Sequence, residues 1–193
     1  MVTAAEQGRE TRRRLMDAAV EVIAEEGWGA ASTRSVALRA GLPPGLVHYH
    51  FPSVTDLLID ASLRLAQEEV AGVVRAAVSD TGAAGLATLL DALASYRADQ
   101  AATTVFTEML LAGTRHERMR AGLAEVLRES RTAIADWLRR EGDVIDPEAC
   151  AAVVLAAMDG LVLHQLIAPE LRDLGLATPL RRLVGISQHP NGD

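Results

Sequence analysis

The stretch STRSVALRAGLPPGLVHYHFPS, residues 32–53, holds two short helical segments on either side of a tight turn. Ser32 is placed to cap the first segment, Val36, Ala37 and Ala40 form its small apolar inner face, and Gly41 stops it. Leu42 is held extended by Pro43, and Pro44 suits the first turn of a following helix, where its missing N–H would have no partner anyway. That second helix is expected over roughly seven residues, Gly45 to Phe51, before Pro52 breaks it. Two short helices on a compact, glycine-containing turn are the ingredients of a helix-turn-helix. In that motif the first helix crosses the DNA backbone and the second offers its N-terminal residues to the major groove. Ala37, Gly41, Leu42 and Val47 meet the need for close packing, which leaves Ser32, Arg34, Gly45, Leu46, His48 and Tyr49 facing outward.

On the N-terminal side, Leu15, Ala18, Ala19, Val22 and Ile23 mark one face of a helix over about 9–26, with Gly27 as its stop. On the C-terminal side, Ser53-Val54-Thr55-Asp56 reads as a capping box opening a long helix to about Val78. Loops are expected at 80–85, 113–117 and 142–147. Between the last two lies an amphipathic helix over 117–141, with Leu123, Leu127, Ile134 and Leu138 on one face. Residues 147–168 are apolar on nearly all sides, interrupted by Asp159, His164 and Gln165. A membrane span is the sharp reading of that segment, but Asp159 near the bilayer centre would cost about 2.5–3.5 kcal/mol. A helix covered by core on one side and by a partner on the other fits better, and no membrane partner is expected.

The 193 residues are 49% hydrophobic and 23% charged, which excludes a disordered chain, and the single Cys150 excludes a disulfide scaffold. A reducing, cytoplasmic setting follows. Arg9, Arg12, Arg13 and Arg14 precede no apolar run, so no signal peptide is expected. With only six aromatic residues and recurrent alanine and leucine, the fold class expected is all-α. The net charge of -7 argues at first against a polyanionic partner, yet it is unevenly distributed. Residues 1–53 carry six arginines against six acids, whereas residues 54–193 carry thirteen against twenty.

No paired-carboxylate, G-x-S-x-G, phosphate-loop or zinc spacing is present, so no catalytic role and no cofactor is expected. His48 and His50 form an H-x-H pair, but two positions apart on a helix they point about 200° from each other, so no metal site is assigned. His50 and Phe51 read instead as packing residues that seat the second short helix.

Residues 32–42, then Gly45-Leu46-Val47-His48-Tyr49-His50-Phe51-Pro52-Ser53 and Asp56-Leu57-Leu58, resemble the signature of the TetR family of transcriptional regulators. The likeness covers 9–60 in detail and the whole chain in length and helical layout. It implies that Ser32, Arg34, Gly45, Leu46, His48 and Tyr49 lie at operator DNA, with Arg12 and Pro44 beside them. It also implies a DNA-binding head over 1–53, a dimerisation and effector-binding bundle over 54–193, and repression as the default action. Its homodimer seam would be built from 117–141 and 147–168, including Val153, Ala157, Leu161 and Val162. An apolar small-molecule effector with a polar group would meet residues among Tyr96, Thr103, Phe106, Glu108, Trp137 and His164. Departures from the family pattern are Pro43 and Pro44 in place of Ser and Lys, His48 in place of Tyr, and Val54 in place of a basic residue. They remove two cations and a capping hydroxyl per protomer, so affinity should lean on Arg12, Arg13, Arg14 and Arg34. An alternative is a protein of this fold with weakened DNA binding that acts through protein partners.

Overall fold

Thr3 and Glu6 open the first helix. The Thr3 hydroxyl accepts from the Glu6 N–H at 3.2 Å and the Glu6 carboxylate accepts from the Thr3 N–H at 2.6 Å. These bonds, the backbone one foremost, hold the Glu6 carboxyl below its ordinary value. Helix α1 therefore spans Ala4–Glu26 rather than starting near 9. The computed structural model describes residues 3–79, 101–140 and 144–175, with the isolated positions 85, 88 and 179. After α1 come α2, Thr33–Ala40, α3, Gly45–His50, and α4, Val54–Ser79. They are followed by α5, Ala101–Gly113, α6, Glu117–Arg140, α7, Pro147–Ile167, and a 3-10 turn over Pro169–Asp173. All regular structure among the described residues is helical, so the chain is all-α as its composition predicts.

The capping box expected at Ser53 is present in altered form. Its hydroxyl accepts from the Asp56 N–H at 3.1 Å and donates to the Asp56 carboxylate at 2.7 Å. The loop expected at 113–117 reduces to Thr114, Arg115 and His116, and most of 80–85 lies outside the described residues.

Packing divides the chain into two units, Met1–Gln67 with Asp99–Leu123, and Glu68–Ala98 with Ala124–Asp193. In the first unit the five α1 positions that the helical period selects are all buried, together with Val36, Ala37, Val47, Phe51, Leu57 and, from α5, Val105. A second cluster of the same unit joins Ile59 and Ala66 to Met109, Ala112 and Met119.

The second unit is built around Trp137, Ile134 and Leu138 of α6, Val74 of α4, and Ala151, Val154 and Leu155 of α7. Leu127, expected on the buried stripe of α6, is 41% exposed, because the stripe runs through Val126, Ser130, Ile134 and Trp137 and leaves Leu127 on its edge. The outward residues of α6 are charged, Glu125 pairing with Arg128 and Asp136 with Arg139. Helix α7 starts at Pro147 behind Asp146, whose carboxylate accepts from the Ala149 N–H at 3.2 Å. By length and composition α7 is apolar enough to cross a membrane, with a mean hydropathy of 1.8. Its two sides differ, however. Ala151, Val154, Leu155, Val162 and Gln165 are buried, whereas Ala152, Val153, Ala156, His164 and Ile167 are exposed.

Candidate nucleic-acid interface

The turn between α2 and α3 is formed by local chemistry. Ser32 and Ser35 cap the start of α2 reciprocally: the Ser35 N–H donates to the Ser32 hydroxyl at 3.1 Å and the Ser32 N–H to the Ser35 hydroxyl at 2.9 Å. At the far end Gly41 adopts φ 63°, ψ 38°, a left-handed geometry that favours glycine. Its N–H donates to the Leu38 carbonyl at 3.1 Å and the Leu42 N–H donates to that of Ala37 at 2.9 Å, the two bonds of a Schellman motif. Gly41 therefore serves the turn through its backbone rather than through packing, and it is exposed. Pro44 is helical at φ -56°, and the Leu46 and Val47 N–H groups close tight first turns on Pro43 and Pro44 at 3.0 and 3.1 Å. Helix α3 is one residue shorter than expected, because Phe51 is already extended.

Buried Val36, Ala37 and Val47 seat the two helices, and the predicted outward set lies over them. Ser32, Arg34, Pro44, Gly45, His48 and Tyr49 are exposed and Leu46 is half-buried. Tyr49 is 80% exposed, its ring edge-on to His50 at 5.0 Å, so the hydroxyl is free to reach a phosphate. Arg34 makes no hydrogen bond or ion pair among the described residues, which leaves its guanidinium available to an anion. Arg39 is occupied: it pairs with Glu25 at 2.5 Å and with Glu21 at 3.3 Å, which raises its pKa far above the usual value and lowers that of Glu25.

The N-terminal arginines, expected to serve DNA, already have partners within the chain. Arg12 turns inward, donating to the His50 carbonyl at 2.8 Å and the Asp60 carboxylate at 2.5 Å, and its guanidinium lies 4.1 Å from the centre of the Phe51 ring. Arg13 pairs with Glu10 at 2.7 Å and with Asp17 at 3.3 Å, a helical spacing readable in the sequence. Arg14 donates to the Ala40 carbonyl at 2.7 Å and so caps α2. Asp60 and Arg118, which the sequence reading passed over, join this group, as Arg118 bonds to both Asp60 and Asp56.

Thr103, Phe106 and Glu108 belong to the first unit. Thr103 is 1% exposed with a hydroxyl that has no partner, Phe106 packs beside Met109 and Ala112, and Glu108 accepts from the Trp28 N–H at 3.2 Å. Glu108 thus holds the turn after α1. Trp137 is in the second-unit core and His164 is exposed on α7, while Tyr96 lies outside the described residues. Of the predicted seam, Val153 is exposed, Ala157 and Leu161 are half-buried, and Val162 turns into its own protomer.

Residues 15–61 match the model described as bacterial regulatory proteins, tetR family, and residues 77–185 that described as tetracyclin repressor-like, C-terminal domain. The chain belongs to the TetR family of transcriptional regulators. It is 32% identical over 162 residues to the HTH-type transcriptional regulator BetI of Rhizobium meliloti (strain 1021), covering 80% of this chain and 77% of that protein. A transcriptional regulator from Streptomyces coelicolor A3(2) superposes with a TM-score of 0.71 at 28% identity, over 91% of this chain and 98% of that one. The multidrug binding protein EbrR, solved with imidazole, gives a TM-score of 0.70 at 29% identity over 93% and 92%. These relatives are transcriptional regulators and binding proteins, not enzymes, and DNA binding through the helix-turn-helix is the function this TetR-family chain shares with its family.

Proposed function

We propose that this TetR-family protein is a cytoplasmic, homodimeric repressor that leaves a pseudo-palindromic operator when a small apolar effector with a polar group binds residues 54–193. The observation that carries the DNA part is the unpaired, exposed Arg34 together with exposed Gly45, His48 and Tyr49, on two helices seated by buried Val36, Ala37 and Val47. Two heads related by a two-fold axis read half-sites one or more helical turns apart. The seam is assigned to the exposed small-aliphatic side of α7, since the outward side of α6 is charged. Support for a ligand comes from the buried, unpartnered Thr103 hydroxyl and from the likeness to EbrR, a protein described as binding multiple drugs.

The test is selection of bound fragments from the source genome, followed by Arg34→Ala on the best of them. A bidentate base contact predicts a loss of about 1–3 kcal/mol concentrated at one base pair per half-site. A phosphate contact predicts a uniform loss across sequences. Unchanged affinity for every DNA removes Arg34 from the interface. An effector that weakens binding a hundredfold must couple by about 2.7 kcal/mol, and operator must weaken the effector by the same factor.

The bonds that Arg12, Arg13 and Arg14 make within the chain favour a weaker head and keep the reading through protein partners as the rival. Pro44→Lys separates the two. A Lys there should steepen the slope of log affinity against log salt by roughly 0.9 per protomer, on specific and random DNA alike. An unchanged slope with intact folding places this turn away from phosphates and supports the rival.

A further inference from the structure

Helix α3 is six residues long and has no side-chain cap at its N-terminus, so it cannot hold its own orientation. Its last carbonyl, that of His50, has a partner in the Arg12 guanidinium. Arg12 is itself fixed on two further sides, by the Asp60 Oδ2 atom and by the face of Phe51. The other oxygen of Asp60 accepts from Arg118, and Arg118 also donates to Asp56 Oδ1 at 3.0 Å. The result is one chain of bonds, from the end of α3 through α1 and α4 to the first turn of α6, all within the first unit. Two arginines and two aspartates balance in charge, so the chain brings no net cation toward a phosphate. Asp60 is its most enclosed charged member, with a side chain 19% exposed against 39% for Arg12 and 50% for Arg118.

We infer that Arg12, Asp60 and Arg118 are positioning residues for base recognition, with Asp60 the shared carboxylate that fixes the angle at which α3 is presented to the groove. This rests on the reading of the head as the operator-binding element. Contact with phosphates tolerates a small rotation of a short helix, because the attraction is long-ranged and non-directional. Base-edge hydrogen bonds do not, since productive geometry demands placement within about 0.5 Å and 10–20°. Loosening the chain should therefore cost discrimination and leave non-specific attraction in place.

The experiment measures the full-length protein against its selected operator and against random duplex over a range of salt. The variants are Asp60→Asn, Arg118→Met and Arg12→Lys, and far-UV circular dichroism and urea midpoints establish the folded fraction of each. Asp60→Asn is expected to lower operator affinity about tenfold, change random-DNA affinity less than about twofold and leave the salt slope unaltered. Arg118→Met, at a half-exposed side chain remote from DNA in the sequence, should move the same ratio in the same direction, and it decides the matter if Asp60→Asn fails to fold. Arg12→Lys keeps the cation but cannot hold carbonyl and carboxylate together, so it should behave like Asp60→Asn. A wild-type ratio of operator to random affinity in folded Asp60→Asn or Arg118→Met overturns the inference. So does a wild-type ratio in folded Arg12→Lys, since a lysine can replace an arginine at a phosphate but cannot bridge the carbonyl and the carboxylate. If the unaltered protein fails to distinguish operator from random duplex, the operator-binding reading itself falls.

Discussion

In the proposed dimer, Ala156→Arg should leave a folded protomer that no longer pairs. Ala156 lies on the exposed side of α7 with Ala152, Val153 and Ile167, and in one protomer an arginine there points into water. Arginine is close to alanine in helix propensity, so the protomer's own stability should shift by less than about 0.5 kcal/mol. In a two-fold seam the same face meets its own copy, and two guanidinium groups would be buried together without counter-ions, at several kcal/mol each. Sedimentation at micromolar concentration should then report 20.5 kDa in place of twice that mass. Operator affinity should fall by more than about a hundredfold, because each half-site would be held by a single untethered head. Ala157→Arg is the less clean probe, since Ala157 is half-buried and a long side chain there strains the protomer as well. A wild-type dimer in Ala156→Arg would move the seam elsewhere.

Phe51→Ala should be the most damaging single truncation in the head. The ring is 2% exposed and packs among Leu15, Val47 and Leu57 while carrying the Arg12 guanidinium on one face. Loss of a buried phenylalanine costs about 3–5 kcal/mol, and total stabilities of domains are only about 5–15 kcal/mol. Urea unfolding should show a lowered midpoint with the change in helical signal arising from the first unit. A shift below about 1 kcal/mol would mean that neighbouring side chains close the cavity.

The helix-turn-helix was readable from residues 32–53 because its causes are local. A serine cap, a glycine able to turn left-handed and a proline at a helix start each act within four residues of themselves. The same holds for the five core positions of α1 and for the start of α7 at Pro147. The Thr3 and Glu6 box was equally local, and the apolar period alone hid it, since residues 4–8 carry no stripe. The role of Arg12 was not readable, because its partners His50 and Asp60 lie 38 and 48 positions away and an arginine on a helix looks the same whether it faces solvent, DNA or a carboxylate. The Glu108 to Trp28 bond, across 80 positions, belongs to the same class. Candidate effector residues are harder still: Thr103 and Trp137 sit on apolar helical faces whose pattern does not distinguish a ligand wall from ordinary core.

The first unit takes two separate stretches of chain, and this bears on how regulators of this kind exchange parts. Val105 completes the core beneath the reading helices, and Glu108 supplies the acceptor for the Trp28 amide. A hybrid joined at residue 53 would carry the helix-turn-helix into a foreign bundle without either of them, leaving a hole and an unpaired, half-buried donor. A transplant with native operator preference must bring 1–67 and 99–123 together, so recombination that shuffles heads freely would be selected against unless the recipient's own helix offers an aliphatic residue and an acceptor at those two places.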